Sequence, residues 1–279
     1  MTELDTDIVI VGAGAAGLWA AAVAAGSGRK VLVVEKTSKA GTKVLASGGT
    51  RCNLTTSHDA RTAARLFGSE GERFIRDAMS QLPPEAVRAR FEELGVATRV
   101  EPELDKVFPV SNSARQVRDA LEAAARSQGA EFLFGAAVTS VEPHDAGWWI
   151  HTARHRIRCR AALLCPGGRS YPKTGTTGDG YGWLHDLGLE VVPVVPALVP
   201  LRSGAKWVHA LSGVTLSVEA RVGKERRRRP ILFTHTGLSG PAAMDLSVHV
   251  ARSAGPVDIR LDLLPDTSRE ALRTRFIAA

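Results

Sequence analysis

Residues 7–36 read DIVIVGAGAAGLWAAAVAAGSGRKVLVVEK, and the order of residue types in this stretch decides the fold. Residues 7–11 form an apolar, β-branched run suited to a central parallel strand covered on both faces. Gly12-Ala13-Gly14-Ala15-Ala16-Gly17 follows at once as GxGxxG, and residues 18–25 continue as a helix closed by Gly26 and Gly28. A second strand over 31–34 ends on Glu35, 21 residues after Gly14. Each part has a physical task. Gly12 permits the tight strand-to-helix turn, Gly14 removes the Cβ that would block a pyrophosphate, and Gly17 lets the helix lie close to the strand. Phosphates then face unpaired N–H groups at the positive end of the helix. Glu35 is placed to accept hydrogen bonds from a ribose diol, and its charge disfavours a 2′-phosphate. The ligand class is a dinucleotide; this stretch leaves FAD and NAD open.

Residues 8–28 contain no charge over 21 positions, long enough to cross a bilayer. Five glycines interrupt the run, and Glu3, Asp5 and Asp7 precede it, the reverse of a basic leader. The expectation is a chain without a membrane segment, working in the cytoplasm. With 279 residues, 44% hydrophobic and 23% charged, the sequence excludes disorder and a polytopic membrane protein. Size scaling gives about 73% of the unfolded surface buried, enough for a core without staples. Cys52, Cys159 and Cys165 form no CxxC pair, so they are expected to make neither a disulfide framework nor, alone, a four-ligand zinc site. No metal constellation is visible. The net charge of +7 includes +4 between Lys224 and Arg229. That run reads as a solvated hairpin tip between LSVEARVG and PILFTH, without aromatic residues for base stacking, so no nucleic-acid partner is expected.

The residues after Glu35, KTSKAGTKVLASGGTRCNLTT (36–56), read as a long glycine-, serine- and lysine-rich loop, and long loops in compact domains tend to be functional. Backbone amides at Gly48, Gly49 and Thr50, with Arg51, are placed to reach phosphates or a flavin edge. Much later, residues 161–165 form a buried strand that breaks at Pro166-Gly167-Gly168 and runs on into RSYPKTGTTGDGYGW. Gly178-Asp179-Gly180 opens a helix, with Asp179 placed to cap it or to meet a ribityl hydroxyl. A late strand ending on two glycines suits a second approach to one extended dinucleotide.

These segments, together with KVFPVSNSA (106–114), PALVPL (196–201) and FTHTGLSGP (233–241), resemble in order those of the aminoacetone-oxidase-like FAD-dependent oxidoreductases. That group includes dehydro-bile-acid reductases and sits among the glutathione-reductase-like flavoproteins. The resemblance implies an α/β fold, with a Rossmann-type FAD-binding domain over 1–190 and a β-rich, barrel-like cap over 191–265. It implies cofactor contacts from Gly12, Ala13, Gly14, Ala15, Ala16, Gly17, Glu35, Lys36, Lys43, Ser47, Gly48, Gly49, Arg51, Cys52, Asn53, Val138, Pro166, Gly167, Gly168, Asp179 and Gly180. Two departures stand out: Thr50 replaces a glycine of the family loop, and Thr56 an asparagine. Residues 266–279 correspond to the first helix of a helical insertion, so relatives are expected to continue beyond it.

Elsewhere the pattern predicts helices over 66–94, a hairpin over 96–110, a helix over 113–128, and three strands (131–142, 147–152, 154–159) leading back to the strand at 161. Beyond 191, strands are expected near 211–222, 231–235 and 257–263, with Ser239 capping a helix that has Pro241 in its first turn. A flavin carries its own redox chemistry, so no protein nucleophile is required. Catalytic candidates are Arg51 as a charge stabiliser, Cys52 as a redox thiol and His235 as an acid, set against packing or buried hydrogen-bonded roles. Tyr171 and Tyr181 are weaker proton donors. The expected activity is hydride transfer from NAD(P)H through FAD to a small organic substrate, at a C=C or C=N bond. The alternatives are direct substrate oxidation with oxygen as acceptor and a non-catalytic nucleotide-binding chain.

Overall fold

The computed structural model describes residues 1–278; the last residue of the segment expected to open an insertion, Ala279, lies outside them. The chain forms two compact units, Met1–Val191 and Val192–Ala279. In the first unit the elements run β1 (Thr2–Val11), α1 (Ala15–Gly26), β2 (Val31–Glu35), α2 (Thr42–Ala46), β3 (Thr55–Thr56), α3 (Ala60–Arg65), α4 (Gly68–Gln81) and α5 (Pro84–Glu93). They continue with β4 (Thr98–Glu101), β5 (Lys106–Pro109), α6 (Ala114–Ser127), β6 (Glu131–Phe134), β7 (Val138–His144), β8 (Gly147–Thr152), β9 (His155–Leu164) and α7 (Asp179–Asp186).

Six strands form one sheet in the order β6-β2-β1-β9-β8-β7. The four strands from β6 to β9 are mutually parallel, and β9-β8-β7 form an antiparallel meander. The parallel order places β1 between β2 and β9, covered on both faces. That is why Val9, Ile10 and Val11 are all buried although they alternate sides. Ile10 packs with Leu18 and Ala21 of α1 and Val117 and Leu121 of α6. Val9 and Val11 pack on the other face with Ile150, Ile157 and Trp183. A small three-stranded sheet, β3-β5-β4, stands apart from the main one.

Several expectations change. Residues 131–142 are not one strand: the chain leaves β6 at Gly135, whose φ is +65°, and β6 pairs with β2 at the far edge from β7. The strands expected at 154–159 and 161–165 are one ten-residue strand, because β9 follows β1 for its whole length, from Thr2↔His155 to Val11↔Leu164. The segment after Glu35 is not all loop; it contains α2 and a 3-10 turn at Ser47–Thr50.

In the second unit, β10 (Leu201–Arg202), α8 (Lys206–Ala210), β11 (Thr215–Val222), β12 (Glu225–Thr234), β13 (Gly237–Ser239), α9 (Gly240–Ala251), β14 (Arg260–Asp262) and α10 (Arg269–Ala278) follow in order. The sheet order is β10-β13-β12-β11-β14. Phe233, Ile231, Val218 and Ala220 form the sheet side of a core closed by Ala242, Ala243 and Leu246 of α9. Ser239 precedes α9 without a side-chain capping bond, although Pro241 does lie in the first turn. The strand expected near 211–222 starts at Thr215, and the one expected near 257–263 is confined to Arg260–Asp262. The pairing Val222↔Glu225 makes Gly223-Lys224 the hairpin tip, so Arg226, Arg227, Arg228 and Arg229 lie inside β12 and not at the tip. Among the described residues no helix is long and apolar enough to cross a membrane.

Full burial of Phe233 contrasts with Phe74 on α4, which is 87% exposed. Phe233→Ala is expected to cost about 3–5 kcal/mol in urea unfolding, the cost of a large cavity. Phe74→Ala is expected to change stability by no more than about 0.5 kcal/mol.

Candidate functional site

The β1–α1 turn is built by approach distances that exclude side chains. A Cβ on Gly12, whose φ is +101°, would stand 2.4 Å from the Cys165 carbonyl oxygen. One on Gly17 would stand 1.8 Å from the Gly12 carbonyl oxygen. Gly14 differs: its Cβ would meet no protein atom within 4 Å, and its φ of −78° is ordinary. Gly14 is also the N-cap of α1, with no side-chain capping bond and no acidic residue in the first turn. The turn therefore opens onto free space with amide donors at the positive end of a twelve-residue helix.

Glu35 does more than end β2. Its Oε2 accepts from the Ala13 N–H at 2.8 Å, and its Oε1 accepts from the Thr37 N–H and hydroxyl, each at 2.8 Å. The carboxylate thus fastens the glycine turn to the end of the neighbouring strand while keeping acceptor capacity.

Beside this turn lies a cavity of about 890 Å³, near the upper end of the range typical for ligand sites. Its wall includes Gly12, Ala13, Gly14, Ala15, Ala16, Glu35, Lys36, Lys43, Ser47, Cys52, Asn53, Val138, Pro166, Gly167, Asp179 and Gly180. Segments far apart in sequence therefore meet at one space. Two lysines tie them together. Lys36 Nζ donates to Asp179 Oδ2 at 2.6 Å and to the Thr177 hydroxyl at 2.8 Å. Lys43 Nζ donates to the Ser170 carbonyl at 2.8 Å, and burial pushes its pKa down. Hydrogen bonds from Lys36 and Thr177 hold the Asp179 carboxyl below the usual carboxylate range. Asp179 is the first residue of α7; Gly178, in left-handed conformation, caps the helix instead, so the capping role expected of Asp179 is absent.

Five expected contacts are not in the wall: Gly17, Gly48, Gly49, Arg51 and Gly168. Gly17 is consumed in helix–strand packing. The Arg51 guanidinium pairs with Glu101 and lies 4.0 Å from the centre of the Phe108 ring, so it braces the β4–β5 hairpin. The Asn53 amide nitrogen, assigned from its surroundings, donates to the Thr55 and Val107 carbonyls. His235 is exposed in the turn between β12 and β13, not buried as the packing alternative required. The wall also holds residues that the motifs did not single out. Trp19, Val87, Phe91, Val117 and Leu121 supply an apolar side from α1, α5 and α6, with Trp19 and Phe91 edge to face at 5.9 Å. Their helical spacing is that of any core residue, so periodicity carried no signal for a cavity.

The loop beneath is strained. Gly48, Gly49, Thr50 and Cys52 all have positive φ, and Thr50 at +69° is a β-branched residue in a region that glycine favours. Cys52 lines the cavity at 7% exposure, and burial raises its pKa, as it does for Cys165. Burial pushes the Cys159 thiol up to about 11. A redox role for Cys52 gains no support from such a protonated, shielded thiol. Among the described residues there is no group of three or more His, Cys, Asp or Glu able to hold a metal.

The model of the HI0933-like protein Rossmann domain matches residues 6–261. A ribosomal RNA dihydrouridine synthase of Haemophilus influenzae is 31% identical over 270 residues, covering 94% of this chain and 65% of that protein. A 3-dehydro-bile acid delta(4,6)-reductase of Clostridium scindens is 29% identical over 279 residues, covering 96% and 67%. The chain thus spans about two thirds of the length of these curated relatives. Among solved structures, Escherichia coli quinol fumarate reductase has a TM-score of 0.53 at 19% identity, over 78% of this chain and 44% of that one, a likeness of fold.

Two outcomes follow for the strained loop and the thiols. Thr50→Gly is expected to raise unfolding free energy by about 1 kcal/mol, the left-handed penalty removed, as read by urea titration. A disulfide reagent at pH 8 is expected to find fewer than one reactive thiol in the folded chain and three after denaturation. Because the Cys159 pKa is raised, its stabilising contribution persists at neutral pH and is lost as pH climbs from about 9 through about 11.

Proposed function

Because the chain belongs to the HI0933-like Rossmann family, we propose that it is an FAD-dependent oxidoreductase that saturates a carbon–carbon double bond conjugated with a carbonyl group. The observation that carries the reading is the unblocked turn at Gly14, with free α1 amides facing a cavity of about 890 Å³. The names of the relatives support the reaction class: forming dihydrouridine and reducing a bile-acid double bond both add two hydrogens across a conjugated C=C.

Bound FAD would supply the two-electron chemistry, with NAD(P)H as the donor. The chain's own residues bind and orient. The amides of Ala15 and Ala16 at the start of α1 would hold the pyrophosphate. The Ala13 amide is already committed to Glu35, so that carboxylate is fixed in place before a ribose arrives. Lys36 and Lys43 hold the segment from Ser170 to Asp179 along the same cavity. Trp19, Phe91, Val117 and Leu121 keep water from the apolar side, where an aromatic cofactor ring or an unsaturated substrate would pack. A double bond conjugated with a carbonyl is the kind of bond that this two-electron chemistry would reduce, because the carbonyl makes its distal carbon electrophilic.

The test is a visible spectrum of the purified chain, after incubation with FAD and desalting. The expected result is retained flavin that bleaches anaerobically with NADH or NADPH and is reoxidised by a cyclic enone. A chain that retains no flavin overturns the reading, and one that holds flavin without bleaching is a binder and not a reductase. Gly14→Ala separates folding from binding. It is expected to change stability by no more than about 1 kcal/mol, because its Cβ meets no protein atom, and to weaken FAD at least tenfold.

A further inference from the structure

The charge of this chain is divided unequally between its two units. Residues 192–279 hold thirteen Lys and Arg against seven Asp and Glu, a net of +6, leaving +1 for residues 1–191. The placement of Arg226–Arg229 inside β12 gives this excess a geometry. Alternation along the strand sends Arg227 and Arg229 toward the side of α9, where Arg227 pairs with Glu225 and Arg229 with Asp245. It sends Arg226 and Arg228 to the opposite, solvent face.

On that face the register aligns like charges. Arg221 of β11 stands directly opposite Arg226 of β12 and directly opposite Arg260 of β14. All three are exposed. The row Arg260–Arg221–Arg226 crosses three adjacent strands, about 10 Å from end to end at the ordinary strand spacing. Lys224, at the hairpin tip, lies just beyond it. Counter-charge is sparse. Arg226 reaches Glu219 only at 3.9 Å, Arg221 donates to the Gly223 carbonyl, and Arg260 has no ion pair among the described residues. The next row inward, Asp262–Glu219–Arg228, brings two acids and one base, and Arg228 is taken by Asp266. Like charges directly opposite one another destabilise a sheet. This row is therefore a cost to the fold that an outside polyanion relieves.

We propose that the solvent face of the β12-β11-β14 sheet, through Arg221, Arg226 and Arg260, docks the phosphodiester backbone of single-stranded nucleic acid. A row of about 10 Å suits two or three successive phosphates of one strand, each met by a guanidinium fork. The face presents no aromatic side chain along β11, β12 or β14, so it grips backbone and does not read bases. The sequence reading expected no nucleic acid on two grounds, a hairpin-tip location for the arginines and the lack of aromatic residues for base stacking; the register changes the first. The inference is independent of the flavin reading, because it concerns the second unit alone.

The experiment is fluorescence anisotropy of a labelled 20-nucleotide RNA of mixed sequence with the full chain, without added flavin, across a salt series. Three proteins are compared: the parent, the triple variant R221Q/R226Q/R260Q, and a control triple, R61Q/R73Q/R76Q, that removes equal charge from exposed sites of the first unit. The expected result is saturable, salt-sensitive binding by the parent. The row variant should bind at least tenfold more weakly, with its log–log salt slope shallower by about 2, three contacts at about 0.7 each. The control should stay within twofold. Thermal melting accompanies each protein, and the row variant is expected to melt no lower than the parent because repulsion has been removed. If it melts lower, R226E alone replaces it and must show the same direction of loss. No binding by the parent, equal losses in both triples, or binding of phosphatidylserine vesicles in place of RNA each overturns the proposal.

Discussion

Everything in the first unit is arranged around one close approach. The turn between β1 and α1 passes so near the end of β9 that the Cys165 carbonyl occupies the place where a Cβ of residue 12 would stand, and the Gly12 carbonyl does the same to residue 17. Steric contact of this kind is stiff. It fixes the helix axis relative to the sheet, and with it the direction in which the first amides of α1 point. The Glu35 carboxylate then locks the turn from the other side through Ala13. Because Pro166 and Gly167 follow just beyond the end of β9, the same approach places the late glycine segment against the early one.

The parts of this arrangement that could be read from residue order are those enforced by backbone sterics. GxGxxG, the apolar strand before it and the acid at 35 report local constraints, and the structure places all of them together. The late Pro166-Gly167 break was legible for the same reason. Pairing was less legible. That β6 crosses to the far edge of the sheet, or that β9 runs unbroken for ten residues, depends on hydrogen bonding to strands about a hundred residues away or more. Arg51 shows the limit for side chains. Its position in the loop suggested a ligand, but Glu101 and Phe108, fifty or more residues on, capture it.

The register of the second unit was equally hidden. Residue types around Arg226 signal a hairpin, yet only the Val222↔Glu225 pairing says which residues occupy the bend. A bend at Gly223-Lys224 moves four arginines from a tip into a strand and sorts them onto two faces. One pair meets carboxylates; on the other face, Arg226 joins a row of its own kind. Charge composition described the amount of this basicity but not its direction.

The wall of the first unit's cavity contains two of the chain's five tryptophans, Trp19 from α1 and Trp183 from α7. They stand on opposite covers of the sheet, one packed with the α1–α6 layer and the other with the meander side. A ligand that fills the cavity changes the polarity around both indoles at once. The molecule thereby carries its own optical gauge: its ultraviolet emission shifts when the space fills, with no label attached.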